Sequence, residues 1–488
     1  MVLEIEPSVS HFDGGAEMPH DHITRESAAL LADCKREHIR FAHWKGNSHL
    51  LQSLEGKTDI EILVHPNCRL QFEAILRRRS YKKMQSQPGN AYPGIEDWLG
   101  FDHDTGKLLH LHTHYDLATK TGKNRFLHLP WLDNFFQQLK IDQLTGWPIP
   151  IPEMETLVLL VRIHANILHD KPVIPVAKQK ELQQLLSQVQ LPRFSELCRE
   201  LQLKVPAGME VEISRIVGEH SVPAMIHLSS LIYHQLSASV ITASPMASLK
   251  DFYYKYFLKF NKYAGRFTGP VQLKKTLLVG GKIIALVGSD GAGKSTLCND
   301  LIKWLTFKID THYFYFGKRP FIKSYGRRLF SITELLFNNN AFSKYFRRLA
   351  FNVYYLLLMH KKINMLRLAK RLRQQKSLVI CDRFPQKDIN DFFDGPKLQT
   401  GNKAWFARLE MKQFSRFGQN GADVVFKLQL PAEIAAQRKP EHDHAIIEKK
   451  CNAVSGISFG NATVIEVDAG KPYEQVLLEV KRKLWEAL

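Results

Sequence analysis

Cysteine is sparse in this chain. Only six occur in 488 residues, at Cys34, Cys68, Cys198, Cys298, Cys381 and Cys451, and no two form a CxxC pair. That spacing argues against a cysteine-based zinc site. A chain of this length needs no disulfide staples, and free thiols suit a reducing compartment, so a cytoplasmic location is expected. Long apolar runs are missing too. VYYLLLM at 353–359 falls far short of the ~20 residues a membrane span requires. The opening MVLEIEPSVSHFDGG has no basic stretch followed by an apolar run, so no signal peptide is expected. No internal repeat or low-complexity tract is present. Acidic residues are outnumbered, 48 against 67 Lys and Arg, which leaves a formal charge of +19.

With 44% hydrophobic and 24% charged residues, the composition is that of a globular protein. At roughly 150 residues per domain, the length implies two or three domains. Much of the basic excess lies in 318–376, including Arg327, Arg328, Arg347, Arg348, Arg367, Arg371 and Arg373. A solvated helix face, a phosphate-binding surface and a nucleic-acid or membrane surface all fit such a run. No RNA- or DNA-binding motif accompanies it, so nucleic acid is not an expected partner.

Read for organisation, the chain starts with a flexible tail at 1–20. Mixed α/β structure follows over 21–150. Helices are expected over 25–37, 49–54 and 70–79, with strands over 39–44 and 59–64. WLGFDHDTGKLLHLHTHY reads as a β-hairpin turning at Asp104, Thr105 and Gly106. From 151 to 238 apolar residues recur at three and four, the helical period, as in METLVLLVRIHANIL. A basic, aromatic linker with a helix at 250–267 spans 239–280. From 281 to 488 strands and helices alternate, and the strands are apolar throughout. That pattern implies an α/β fold with a parallel sheet covered by helices.

The strongest motif opens this last region. The apolar strand at 283–287 runs into GSDGAGKST and then a helix. Gly288, Ser289, Asp290, Gly291, Ala292, Gly293, Lys294 and Ser295 match GxxxxGK[ST], with Thr296 following. Such a loop wraps phosphates with its backbone N–H groups, and the helix N-terminus adds a favourable dipole. Lys294 should reach the β- and γ-phosphates of a nucleotide, and Ser295 should ligate Mg²⁺. Downstream, SLVICDRF is an apolar strand ending in Asp382 and Arg383. A carboxylate there can hold hydrated Mg²⁺, and the guanidinium can pair with phosphate. A surface salt bridge is the bland alternative.

DGAGKST, the later DRF and ADVVFKLQLPAEIAAQRKPE together resemble the thymidylate kinase family of nucleoside monophosphate kinases, over roughly 280–488. The resemblance implies ATP and Mg²⁺ as cofactors and a nucleotide or other small phosphorylated acceptor as substrate. It implies that Asp290 faces the acceptor. Arg319 with Pro320 would meet the acceptor phosphate. Arg438 with Lys439 would close the nucleotide side, and residues 440–450 would form a lid. A helix-terminal cation is the alternative reading of Arg438. The chain departs from the family after Arg383, where FPQKDINDFFDGP replaces the serine- and alanine-rich stretch that helps hold thymine. A sugar or lipid-linked acceptor, and an oligomeric state, therefore stay open.

HWKGNSHLLQSLEGKTDIEILV carries a second logic. A turn at Gly46, Asn47 and Ser48 precedes a helix, and a strand then presents Asp59 and Glu61 on one face. Two carboxylates so placed can hold a metal pair for nucleotidyl transfer. The segment resembles the nucleotidyltransferase superfamily over about 39–115, with the helical block as an appended domain. That superfamily has a third carboxylate on a later strand. The corresponding KLLHLHTHY instead presents His110, His112 and His114, either as metal ligands or as solvated histidines on an edge strand. The readings open at this point are a kinase fused to a nucleotidyltransferase-like domain, active or inactive, a bifunctional nucleotidyltransferase and kinase acting in polysaccharide or sugar-nucleotide metabolism, and a nucleotide-switched binding module.

Overall fold

The computed structural model describes residues 23–86, 94–122, 125–169, 173–242, 274–317, 341–390, 393–398, 405–440 and 443–488, with isolated positions between 249 and 256. The 1–20 tail, most of the 239–280 linker and Arg319 with Pro320 lie outside the described residues.

The N-terminal half is built on a six-stranded sheet. Its spatial order is Phe41–His43, Ile60–Val64, Leu108–His114, Ile95–Phe101, Lys82–Gln85 and Thr276–Leu277. The pair Ile60–Val64 and Leu108–His114 is parallel, and the other pairs are antiparallel. Side chains alternate across a strand, so each strand divides its residues between two environments. Ile60, Ile62, Val64, Leu109, Leu111 and Trp98 pack under the helices Arg25–Arg36, Leu50–Leu54 and Arg69–Arg78. The histidine strand is thus interior, not an edge, because Ile60–Val64 and Ile95–Phe101 flank it.

The helical block contains Pro152–His169, Val176–Leu186, Leu191–Glu200, Met209–Glu219 and Val222–Gln235. Pro152 and two acidic residues, Glu153 and Glu155, occupy the first turn of the longest of these helices. Proline's fixed φ and the dipole's preference for anions both suit that end. This helix is apolar on most sides because it is the centre of the block's core, with Met154, Leu157, Val158, Leu160 and Val161 fully buried.

The C-terminal half is a five-stranded sheet, ordered Thr311–Tyr315, Leu378–Asp382, Ile283–Gly288, Val424–Gln429 and Thr463–Asp468, parallel throughout. Ile284 and Leu286 face one core beside the helices Lys294–Thr306 and Tyr473–Ala487. Ile283, Ala285 and Val287 face the other, beside Ala341–Gln374 and Trp405–Asn420. Burial on both faces explains the continuous apolar runs. The expected α/β architecture with a helix-covered parallel sheet is what forms. The central Ile283–Gly288 strand has neighbours reached by connections on either side, and ligand crevices open at the carboxyl ends of strands at such a switch point.

The two halves share a core. Met84, Leu99, Phe101 and Leu108 of the first sheet pack with residues of the P-loop side. Two ends of the expected linker also belong to N-terminal sheets. Val240–Thr242 pairs with Arg125–His128, and Thr276–Leu277 pairs with Met84 and Gln85. No helix among the described residues is long and apolar enough to cross a membrane.

Candidate functional site

The phosphate loop leaves the sheet at Gly288 and enters the Lys294–Thr306 helix through Gly293. Gly291 and Gly293 have φ of +86° and +79°, a region that L side chains rarely adopt. A Cβ on Gly288 would stand 2.8 Å from the Leu428 carbonyl oxygen. The loop therefore depends on these three glycines. Ala292 is buried against the core, while Ser295 and Thr296 are exposed at the helix start.

Lys294 folds back on the loop, its Nζ donating to the Ser289 carbonyl at 2.6 Å. Burial, reinforced by nearby Arg383, pushes its ammonium down to about 8. Ser295 Oγ donates to Asp382 Oδ2 at 2.6 Å, and Tyr313 OH donates to the same oxygen at 3.0 Å. The other oxygen, Asp382 Oδ1, is buried with no hydrogen-bond partner. A hard cation or its water fills such a lone-pair deficit, so the pair Ser295 and Asp382 fits Mg²⁺.

Arg383 has a φ of +66°, unusual for a residue with a Cβ. The bend turns its guanidinium towards Asp290 Oδ1 at 3.3 Å and Asp394 Oδ2 at 3.7 Å. Lys450, from the helix His444–Ala453, reaches Asp290 Oδ2 at 2.6 Å. Burial works to raise the Asp290 carboxyl, but Lys450, Lys294 and Arg383 hold it below its ordinary value. Burial likewise opposes the charge on Arg383, yet Asp394, Tyr315 and Asp290 raise its pKa overall. Arg438 donates to the carbonyls of Gly291 (3.3 Å) and Ala469 (3.2 Å), so it lies against the outer side of the loop.

Beyond Asp290 and Arg383 opens a cavity of about 520 Å³. Tyr355, Leu358, Met359 and Lys362 line it from successive turns of the Ala341–Gln374 helix. Tyr315, Phe393, Asp394, Gly395, Lys397, Glu410, Phe414 and Lys450 complete the wall. Lys362 is buried and pairs with Asp394 Oδ1 at 2.9 Å. Phe393 and Asp394 have positive φ in succession, a costly backbone that survives where surrounding contacts enforce it. Sequence reading missed Asp394, Lys362 and Tyr313. The spacing 355, 358, 359, 362 on one helix face was the available signal for the cavity wall.

In the N-terminal half the expected carboxylates part company. Glu61 Oε2 lies 3.0 Å from Lys45 Nζ, 3.2 Å from His112 Nδ1 and 3.0 Å from His114 Nε2. Asp59 Oδ1 lies 2.9 Å from His110 Nδ1 and 2.5 Å from Lys308 Nζ. Burial would raise the Asp59 carboxyl, but His110 and Lys308 hold it at about 2. A third carboxylate does face the histidines, though from the neighbouring strand. Asp97 Oδ1 is 3.1 Å from His110 Nε2 and 2.5 Å from Lys275 Nζ. Lys308 of the C-terminal half and Lys275 at the end of the linker thus pair with Asp59 and Asp97, and each carboxylate has its own partners.

No protein-family model matches the chain. It is 30% identical over 217 residues to the "uncharacterized ATP-binding protein YghR" of Escherichia coli K12, covering 41% of this chain and 85% of that one. It is 29% identical over 228 residues to the ATP-binding protein YghS of the same organism, 42% and 94% of the two chains. Among solved structures, a deoxyadenosine kinase from M. mycoides matches with 16% identity and a TM-score of 0.25, over 42% of this chain and all of that one. A thymidylate kinase from Candida albicans matches with 20% identity and a TM-score of 0.28, over 42% and 90%. By its glycine-shaped phosphate loop and its likeness to nearly the whole of YghR, this chain belongs to the YghR family.

Proposed function

We propose that the C-terminal half is an ATP-dependent phosphotransferase that moves the γ-phosphoryl group to a small phosphorylated acceptor of nucleoside monophosphate type. The observation that carries this reading is the continuity of two sites. The phosphate loop and the 520 Å³ cavity meet at Asp290 and Arg383, which contribute to both. The cavity combines a flat aromatic and aliphatic wall (Tyr355, Leu358, Met359, Phe393, Phe414) with the cations Arg383, Lys362, Lys397 and Lys450. A planar base suits the first and an acceptor phosphate the second.

An acceptor phosphate oxygen is already ionised at neutral pH, so no general base is needed. It forms a bond to the γ-phosphorus as the bond to the β-bridging oxygen breaks, releasing ADP. Positioning and charge neutralisation supply the rate enhancement. Loop N–H groups and Lys294 hold the ATP phosphates. Ser295 and Asp382 would hold Mg²⁺, which when bound neutralises charge on the ATP phosphate oxygens. Asp290 fixes Arg383 and Lys450 on the line between donor and acceptor, and Asp394 fixes Arg383 and Lys362 deeper in the cavity. Arg438, lying against the loop, closes the nucleotide side.

The test is ADP formation from Mg·ATP with a panel of nucleoside monophosphates and sugar phosphates, by coupled assay and product mass. Acceptor-dependent ADP that disappears in Lys294→Ala is expected. Tight ATP binding without turnover on any acceptor would overturn the reading in favour of a nucleotide-switched module.

A further inference from the structure

The N-terminal sheet carries a cluster that the kinase reading does not use. Glu61, His112 and His114 each offer one ligand atom, and these atoms all lie within 4.8 Å of one another. We propose that they form a binding site for a single divalent transition-metal ion of the zinc class, in place of the two-magnesium carboxylate site that Asp59 and Glu61 suggested.

Sheet register brings the ligands together. Glu61 and His112 are paired directly across the parallel strands, and His112 is paired with Asp97 on its other side. Directly opposed side chains share a face at close range. His114, two residues on from His112, shares that face. A tetrahedral ion with bonds near 2.1 Å needs its donors roughly 3.3 Å apart. The 3.2 and 3.0 Å separations from Glu61 to the two imidazoles already meet that. Two imidazole nitrogens and one carboxylate oxygen suit zinc or cobalt and not magnesium, which wants an all-oxygen shell. Asp97 Oδ1 stands 3.6 Å from His112 Nε2, beyond hydrogen-bond distance but close enough for its charge to favour a proton on that nitrogen and leave Nδ1 for the ion.

Lys45 stands where the ion would sit. Its Nζ lies 3.0 Å from Glu61 Oε2 and 3.5 Å from His114 Nε2, so an ammonium stands where a cation belongs. It sits on a flexible four-carbon stem and swings away to admit the metal. His112 and Glu61 are partly exposed, while His114 is buried at the back, so the site has an open mouth and a fixed floor. Asp59 and Asp97 fall outside the set of donor atoms that converge here, and Lys308 and Lys275 pair with them.

The experiment uses the full chain, stripped with a chelator and then titrated with Co²⁺ by visible absorption and with Zn²⁺ by elemental analysis after gel filtration. One equivalent of either metal is expected, with an intense cobalt spectrum of four-coordinate type. His112→Gln and Glu61→Gln, checked by circular dichroism for an unchanged fold, should each lose the spectrum. Asp97→Asn should weaken binding by about 10–100-fold, and Lys45→Met should tighten it. Lys294→Ala should leave the titration unchanged, which separates this site from the phosphate loop. Failure of the folded wild type to take up metal, or equal uptake by His112→Gln and Glu61→Gln, would overturn the assignment.

Discussion

Lys294 gives the sharpest quantitative prediction. Burial and Arg383 push its ammonium down to about 8 from an ordinary 10.5. ATP phosphates placed on the loop would restore the charged form, so nucleotide binding should be linked to proton uptake. A group titrating at 8 is about half protonated at pH 8, so uptake there should be about half a proton per site. It should approach one at pH 9 and fall to about a tenth at pH 7. The apparent affinity should weaken towards tenfold for each pH unit above 8, or about 1.4 kcal/mol per unit. The terminal phosphate, with a second pKa near 6, is essentially fully ionised at pH 8 and 9, so uptake is best read there, whereas at pH 7 its own release of about a tenth of a proton offsets the effect. Isothermal titration calorimetry in two buffers of different ionisation enthalpy measures the uptake directly. Lys294→Arg, whose guanidinium stays charged throughout, should abolish it. A binding heat for the wild type that is the same in both buffers at pH 9 would refute the reasoning.

Three further outcomes are expected. Asp394→Asn removes the charge that holds Lys362 and Arg383; a charge-assisted hydrogen bond is worth roughly 1.5–3 kcal/mol, so the acceptor KM should rise by roughly tenfold to hundredfold while ATP affinity stays put, as read by steady-state kinetics. Ser295→Ala and Asp382→Asn should each shift the Mg²⁺ dependence of turnover to higher concentration and leave metal-free ATP binding nearly intact. Lys308→Met should destabilise the contact between the halves by about 1 kcal/mol at neutral pH, since Asp59 is partly exposed and its pair is screened. Asp59 has a depressed carboxyl, so its stabilisation is present above the ordinary value of 3.8 and lost as pH falls through about 2. Denaturant midpoints for wild type and Lys308→Met should therefore converge between those values.

The C-terminal site was largely legible because its chemistry is local. Nine consecutive residues, Gly288 through Thr296, set the phosphate loop, and backbone geometry at Gly291 and Gly293 follows from glycine alone. Asp382 and Arg383 were readable because they end an apolar strand that pairs beside the loop strand. The acceptor cavity was not, because Lys362 and Asp394 are 32 residues apart and meet only when the long helix packs. The N-terminal cluster was legible in part. Period-two alternation placed His110, His112 and His114 on one face correctly, and it placed Asp59 with Glu61. It could not show that Asp97 enters from the next strand, because strand order is a long-range property. Nor could it show that Lys275 and Lys308 neutralise two of the three carboxylates, since both arrive from beyond residue 274.

That last contact changes how the halves should be understood. The Lys294–Thr306 helix begins at the phosphate loop and ends two residues before Lys308, so a rod of about 20 Å joins the nucleotide site to Asp59. Asp97, at 6% exposure, takes its cation from Lys275, the residue before the Thr276–Leu277 strand of its own sheet, and also accepts from Ser86. Without the C-terminal half, Asp59 would lose Lys308 but keep His110, and because it is partly exposed the loss would be small. The N-terminal sheet is joined to the C-terminal half through Lys308 and a shared core. Its polar strip sets Asp59, paired with Lys308, and Asp97, paired with Lys275, beside the Glu61, His112 and His114 cluster.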